Sequence, residues 1–324
     1  MSSEKRLAVV VLTWNGREDT LACLESLRRG EYILPSYGVF VMDNGSADGT
    51  AGAVRAAHPW ARLIENQANL GFAGGNNAGI KAAMAEGYPY ILVLNNDTQV
   101  QPGSLEALLA FMDHTPGAGA AQPLLMRMGE EGVADSLGQG LLARLGAVDE
   151  GFGRPVEPAT LSDREIFGAC AAAALYRTRA LEETGLFNED LFVLLEDVDL
   201  SFRLRALGWS AWLVPSAVIL HRRGVSQSIV RSRFAKRQGH VNRVYLSLCY
   251  WPLGHLVAFG PELAYSAVRG LLFCQDKADR RKALALWRQA LSHRRRLGRE
   301  SGIRATQRTW IPPVRTGLFR RRAC

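Results

Sequence analysis

Four short apolar runs recur through the first hundred residues: LAVVVLT (7–13), YGVFVMD (37–43), ARLIEN (61–66) and YILVLNN (90–96). A strand that is apolar on both sides of its pleat is one covered on both faces, as in a parallel sheet. Helical patterns separate the runs. Leu21, Leu24 and Leu27 share one side of DTLACLESLRR (19–29), with Asp19 or Thr20 as a cap, and GTAGAVRAAH (49–58) stops before Pro59. A further helix is expected over about 77–86 after a glycine-rich loop, and another in PGSLEALLAFMDH (102–114). This alternation predicts an α/β chain with a parallel sheet and helices on both faces.

The second half has a different texture. Residues 127–165 are rich in Gly, Pro and charge and carry no readable period. FGACAAAALY (167–176) is expected to be a closely packed strand, TRALEETG (178–185) a short helix stopped by glycine, DVDLSFRLRALG (197–208) an amphipathic helix, and WSAWLVPSAVILH (209–221) a strand ending at His221.

Polar clusters follow the apolar runs. Thr13, Trp14 and Asn15 follow the first, DNGSADGT (43–50) the second, NLGFAGGNNAG (69–79) the third and NNDT (95–98) the fourth. Asn, Asp and Gly at such places also make ordinary turns. Parallel strands, however, bring all four clusters to one sheet edge, where open α/β sheets hold ligands. The glycine-rich stretch lacks G-K-[ST], and no G-x-G-x-x-G follows the first strand, which argues against a P-loop and a dinucleotide site. A lone carboxylate at a strand end, Asp97, suits a Mg²⁺ or Mn²⁺ ion that leaves positions for phosphate oxygens, so a nucleotide diphosphate is the expected ligand. A second cluster, Glu196, Asp197 and Asp199, reads either as acids decorating a helix start or as a general base whose pKa is raised by its neighbours. His221 reads either as a structural histidine or as a metal ligand.

Charge divides the chain. Residues 1–221 hold 16 Lys and Arg against 27 Asp and Glu, and residues 222–324 hold 23 against 4. An acidic body grips nucleic acid poorly, and the basic tail lacks the regular aromatics of a single-strand binder, so no nucleic-acid partner is expected. An anionic membrane surface is the expected partner of the tail. Within it, VYLSLCYWPLGHLVAFGP (244–261) has no formal charge, and the readings of interfacial, buried and spanning segment stay open. The N-terminal apolar stretch is too short for a signal peptide or a span, and five scattered cysteines without CxxC fit a reducing compartment.

With VVLTWNG, VMDNGSADGT, NLGFAGGNNAGI, LVLNNDT, GLFNEDLFVLLEDVDLSFRLRALGW and AVILH in this order, the chain resembles the family 2 glycosyltransferases of the GT-A fold over roughly residues 6–226. The rhamnosyltransferase-like branch is the most similar. The resemblance implies a GT-A fold with a mainly parallel central sheet, helices on both faces and a basic, mainly helical C-terminal extension. It implies a transferase domain over 1–226, with a nucleotide-binding half to about 125 and an acceptor half from about 126. Residues 227–324 would form the extension. The implied reaction is inverting transfer of a sugar, best dTDP-rhamnose, from a nucleotide-sugar donor to a glycan or polyprenyl-linked acceptor in polysaccharide or cell-wall synthesis. A divalent cation, Mg²⁺ or Mn²⁺, would assist, and the enzyme would be cytoplasmic at the inner face of the cell membrane.

Residue by residue, the resemblance gives Asp43 the donor base, Thr13 and Asn15 the nucleotide loop, and Asn69 and Asn76 the nucleotide and its phosphates. Asp97 and His221 become metal ligands, and Asp197 the catalytic base with Glu196 beside it. The D-x-D position reads Asn95-Asn96-Asp97. Asn95 and Asn96 bring no charge, so Asn95 is left a ribose hydroxyl and the diphosphate supplies much of the cation's binding. Two other readings remain: a sugar-nucleotide nucleotidyltransferase, whose N-terminal glycine- and basic-rich signature is missing, and a binding protein on a degenerate transferase fold.

Overall fold

The structure, a computed structural model, describes residues 5–30, 36–223, 232–274, 276–297 and 301–311. The expected boundary at 226/227 and the basic run 315–322 lie outside the described residues.

Strands β1 (Leu7–Thr13), β2 (Tyr37–Asp43), β3 (Arg62–Glu65) and β4 (Tyr90–Asn95) alternate with helices α1 (Arg17–Arg29), α2 (Thr50–Ala57) and α3 (Gly71–Ala85). They pair in parallel in the order β3-β2-β1-β4, as the apolar runs require. Their carboxyl ends therefore share one edge.

After β5 (Thr98–Val100) and α4 (Ser104–His114) the sheet continues with β6 (Ala118–Arg127), β7 (Ala134–Ser136), β10 (Arg164–Ile166), β11 (Ala173–Arg177) and β12 (Ser210–His221). Here it is mixed. Strand β11 runs antiparallel to both β4 and β6, β6 and β12 are parallel, and β5 and β10 flank β12 antiparallel. The unread stretch 127–165 thus holds β7, β10 and a separate hairpin, β8 (Gln139–Leu142) with β9 (Gly146–Asp149). Its elements are three or four residues long, too short to show a period.

Two expectations shift. The stretch 69–79 is not a loop: α3 begins at Gly71, six residues before the expected start. Glycine disfavours helix by propensity, but here it permits contact. A Cβ at Gly75 would meet Leu12 Cδ1 at 2.4 Å, and one at Gly79 would meet Val10 Cγ1 at 2.4 Å, so α3 lies closer to β1 than alanines would allow. The strand expected over 167–176 begins only at Ala173. Before it, Cys170 N donates to Gln122 Oε1 (2.7 Å) and Ala171 N to Asp197 Oδ2 (3.2 Å), so side chains rather than a neighbouring strand satisfy these amides.

One core lies between the sheet and α1, α2 and α4, with Leu24, Leu27, Val54, Leu105 and Leu108 against Val9, Val11 and Leu92. The other face is covered by α3, α5 (Thr178–Thr184) and α6 (Glu196–Ala206), through Ile80, Leu181, Leu200 and Leu204. A third core joins α6 to the C-terminal helices: α7 (Arg233–Tyr250), α8 (Leu253–Ala258), α9 (Gly260–Leu272), α10 (Lys277–Leu297) and α11 (Ser301–Trp310). Tyr250 stacks on Phe202 of α6 with ring centres 4.2 Å apart, and Trp251 Nε1 donates to Leu142 O (3.2 Å). Tyr245, Tyr250 and Trp251 are therefore buried rather than interfacial. Beyond them Leu253 and Val257 are 68% and 74% exposed. No helix of the described residues is long and apolar enough to cross a membrane.

Candidate active site

A cavity of about 850 Å³ opens between the carboxyl edge of β1 and β4, the β8–β9 hairpin and the start of α6. Such a volume suits a ligand of nucleotide-sugar size. Trp14, Asn69, Asn95, Asn96 and His221 line it from the sheet side, and Phe192, Leu194, Leu195, Glu196 and Asp197 from the α6 side. The structure thus brings both sequence clusters to one space.

Other expected residues stand behind the lining. Thr13 is buried with its Oγ1 2.7 Å from Thr20 Oγ1, and both hydroxyls receive Asn96 Nδ2, at 3.3 and 3.1 Å. Asn96 so ties the β4–β5 turn to the loop before α1. Asn15, at φ 50°, accepts from Ala47 N (2.8 Å) and donates its own N–H to Ser46 Oγ (2.9 Å). Asp43, buried at the end of β2, accepts from Ser46 N (3.2 Å). These residues shape the loop after β2. Asn76 is enclosed within α3, where Nδ2 donates to Phe72 O (3.0 Å), so the structure sets it apart from the cavity. Asn69 Oδ1 accepts from Asn44 Nδ2 (2.9 Å) and Gly71 N (2.8 Å). The sequence reading did not single out Asn44, which also donates to Gly71 O (3.0 Å) and accepts from Leu70 N (3.1 Å). It splices the ends of β2 and β3 to α3.

Asp97 and His221 meet, with Nε2 of the ring 3.1 Å from Asp97 Oδ1. On its other side His221 Nδ1 lies 2.8 Å from Asp135 Oδ2. Burial opposes charge on the ring, but the two flanking carboxylates outweigh it and raise its pKa to about 9. Arg223 Nε in turn lies 2.6 Å from Asp135 Oδ1, and its Nη2 2.6 Å from Asp149 Oδ2. Asp135 and Arg223 were not legible: Asp135 lies in the unread stretch, and Arg223 is one arginine among many.

Among the described residues no three His, Cys, Asp or Glu side chains are arranged to hold a metal ion by themselves. Asp97 Oδ2, however, is buried without a hydrogen-bond partner. A free carboxylate oxygen beside an imidazole oriented by a second carboxylate fits a cation that would replace the proton on His221 Nε2 and take its remaining ligands from phosphate and water.

At the opposite wall, α6 starts at Glu196. Asp197 Oδ2 accepts from Ala171 N and Oδ1 from Val198 N (2.8 Å). Burial, assisted by the charge of Asp149, raises the Asp197 carboxyl to about 6 despite these amides. Glu196 is raised well above the carboxylate range, first by burial and then by the charge of Asp197. Asp199 points away, accepting from Tyr250 Oη (2.7 Å) and Arg203 Nε (2.9 Å), so it belongs to the structural core.

Residues 8–185 match the family described as Glycosyl transferase family 2, more than half of the chain. The chain belongs to this family. Among curated relatives, the glycosyltransferase is 34% identical over 207 residues to the N-acetylglucosaminyl-diphospho-decaprenol L-rhamnosyltransferase of Mycobacterium tuberculosis. That match covers 58% of this chain and 67% of the relative. Two solved structures share its fold. GalNAc-T7, crystallised with UDP, GalNAc and Mn²⁺, superposes with a TM-score of 0.62 at 11% identity, covering 93% of this chain and 59% of that one. The mannosyltransferase PcManGT of Pyrobaculum calidifontis, in complex with GDP-Man and Mn²⁺, gives 0.53 at 18% identity, covering 95% and 88%. The fold of the transferase is therefore GT-A, with a mixed rather than mainly parallel sheet.

Proposed function

We propose that the transferase moves a sugar, rhamnose from dTDP-rhamnose being the first candidate, from a nucleotide diphosphate donor to a hydroxyl of a glycan or polyprenyl-diphosphate-linked acceptor. The observation that carries this reading is the pairing, across one cavity, of the β1–β4 edge with a carboxylate of raised pKa, Asp197. The 34% identical relative, named for rhamnosyl transfer to a decaprenol-linked acceptor, supports the sugar and the acceptor class.

In this reading residues 1–226 form the transferase domain and 227–324 the extension. Asn69, Asn95 and Asn96 face the donor. Thr13, Asn15 and Asp43 hold the loops around it, Asn76 stands behind them inside α3, and exposed Trp14 offers an aromatic face. Asp97 and His221 would hold Mg²⁺ or Mn²⁺, which supplies positive charge to the departing diphosphate. Asp197 takes the proton of the acceptor hydroxyl as its oxygen bonds to the anomeric carbon from the face opposite the diphosphate. The bond to the diphosphate oxygen breaks with its electron pair, and the anomeric centre inverts. Glu196, whose carboxyl burial and the charge of Asp197 push up, stands beside the base.

The same reading puts the enzyme at an anionic membrane on its cytoplasmic side. Leu253 and Val257 of α8 and Tyr265, Val268 and Leu272 of α9 are exposed on a basic part of the chain, where apolar contact and charge attraction add. Replacing Leu253 and Val257 by Asp should release the protein from phosphatidylglycerol vesicles in a sedimentation assay; unchanged sedimentation refutes this face. A panel of dTDP-, UDP- and GDP-sugars, scored by nucleoside diphosphate release with a prenyl-diphospho-N-acetylglucosamine acceptor, tests the donor. Release from dTDP-rhamnose above all others is expected, and preference for another sugar overturns rhamnose.

A further inference from the structure

The segment that delivers Asp197 into the cavity is strained. Phe192, Leu194 and Leu195 have φ of 59°, 73° and 71°, a region that branched and bulky residues avoid. Leu195 stands immediately before α6, so any relaxation of this segment displaces Glu196 and Asp197. Strain of this kind persists only where the surroundings enforce it, and the enforcing groups can be named.

We propose that Asn242, on α7 of the C-terminal extension, is a positioning residue for the catalytic base: it clamps the backbone of 191–194 and so fixes where Asp197 sits. The proposal rests on the assignment of Asp197 as base. Asn242 is 0% exposed, and its Nδ2 faces three carbonyls, Leu191 O at 2.9 Å, Val193 O at 3.0 Å and Leu194 O at 2.6 Å. Two amide protons serve three acceptors, so at least one proton is shared, and the single nitrogen ties all three carbonyls to one point on α7. The amide cannot flip, because Asn242 Oδ1 accepts from Gln238 Nε2 (2.8 Å), which also donates to Leu191 O (3.1 Å). From the other side Ala73 N of α3 donates to Phe192 O (3.2 Å). The strained segment is thus pinned between a helix of the nucleotide edge and a helix of the extension. Within this segment Asn242 grips main chain only, and the side chains of Phe192, Leu194 and Leu195 wall the cavity.

This arrangement separates two kinetic effects. Loss of Asn242 lets the base wander by a fraction of an ångström or more, which lowers turnover, while the donor edge is untouched. The test uses the full chain with dTDP-rhamnose, Mn²⁺ and a prenyl-diphospho-N-acetylglucosamine acceptor, scored by dTDP release, with dTDP–Mn²⁺ affinity measured by calorimetry. Asn242→Ala should lower kcat by about 30-fold, within the order of magnitude that misplacing a reacting group costs, and change dTDP affinity less than twofold. Gln238→Ala should show the same split with a smaller loss, and it carries the test should Asn242→Ala fail to fold. Val241→Ala, on the α9-facing side of α7 beside Gly270, should lower the melting temperature and leave kcat unchanged. A kcat for Asn242→Ala within twofold of wild type, or an equal kcat loss in Val241→Ala, overturns the clamp. An active Asp197→Asn overturns the base itself; an inactive Asp197→Asn beside a fully active Asn242→Ala overturns the clamp alone.

Discussion

Two adjacent carboxylates, Glu196 and Asp197, share one cavity, and burial raises the pKa of both. Asp197, at about 6, is mostly charged at pH 7, and after burial its charge is the next cause that pushes the Glu196 carboxyl up. A base must be charged to work, so kcat should fall as pH drops through about 6, and a rate profile flat from pH 7 to pH 5 would contradict the assignment. The same shift bears on stability. A carboxyl whose folded pKa lies above its unfolded 3.8 favours the fold below pH 3.8, and loses that contribution as pH rises through 6. At pH 8 the charged Asp197 therefore weakens the fold. Asp197→Asn should raise unfolding stability there by about 1–3 kcal/mol, reading the shift at ~1.4 kcal/mol per unit and discounting for solvent in the cavity. A urea unfolding midpoint at pH 8 that fell would show that the amide breaks more than it relieves. Glu196→Gln, which leaves the base in place, should cost less turnover than Asp197→Asn in the nucleoside diphosphate release assay.

Among the elements, α3 shows why propensity misled. Gly75 and Gly79 face β1 and the end of β2, so they serve contact rather than flexibility. Gly79→Ala improves helix propensity by up to ~1 kcal/mol but drives a methyl against Val10 and Met42. Overpacking of about 1–3 kcal/mol should win, and a variant more stable than wild type in thermal unfolding would mean that α3 can move off the sheet. Strands β1, β2 and β4 were legible because they are covered on both faces and carry unbroken apolar runs. The Thr13, Asn15, Asp43 and Asn69 clusters were legible because a parallel sheet gathers strand ends. Asp135, the partner of His221, was not: β7 spans three residues, and it comes near His221 of β12 only because both strands pair with β6 over a long range. Asn242 was hidden for a similar reason, since nothing local distinguishes an asparagine that caps carbonyls fifty residues away from one on a helix surface. Tyr250 belongs to this class as well. Tyr250→Phe should cost about 1.5–3 kcal/mol by leaving the buried Asp199 short of a hydrogen bond, read as a lower urea midpoint with dTDP affinity unchanged.

For the molecule as a whole, the extension is joined to the catalytic half through the third core, and α7 faces both the strained segment and, through α9, the exposed apolar residues. Charge is thus laid out in sequence: an acidic body that carries the β1–β4 edge and Asp197, then a basic part, which the proposed function sets against an anionic surface. In the proposed mechanism Asp97 links the edge to the donor's diphosphate through the cation, so Asp97→Ala should lose most turnover while staying folded, and full activity of that variant in excess chelator would remove the cation from the account. The most direct test of the whole is nucleoside diphosphate release by the wild-type chain and by Asp197→Asn, each with a saturating nucleotide-sugar donor, Mn²⁺ and a prenyl-diphospho-N-acetylglucosamine acceptor. The account predicts acceptor-dependent release by the wild type, and a rate lower by about two orders of magnitude or more in Asp197→Asn with donor affinity unchanged. Equal release by both, or donor binding lost in Asp197→Asn with single-turnover transfer intact, would contradict it.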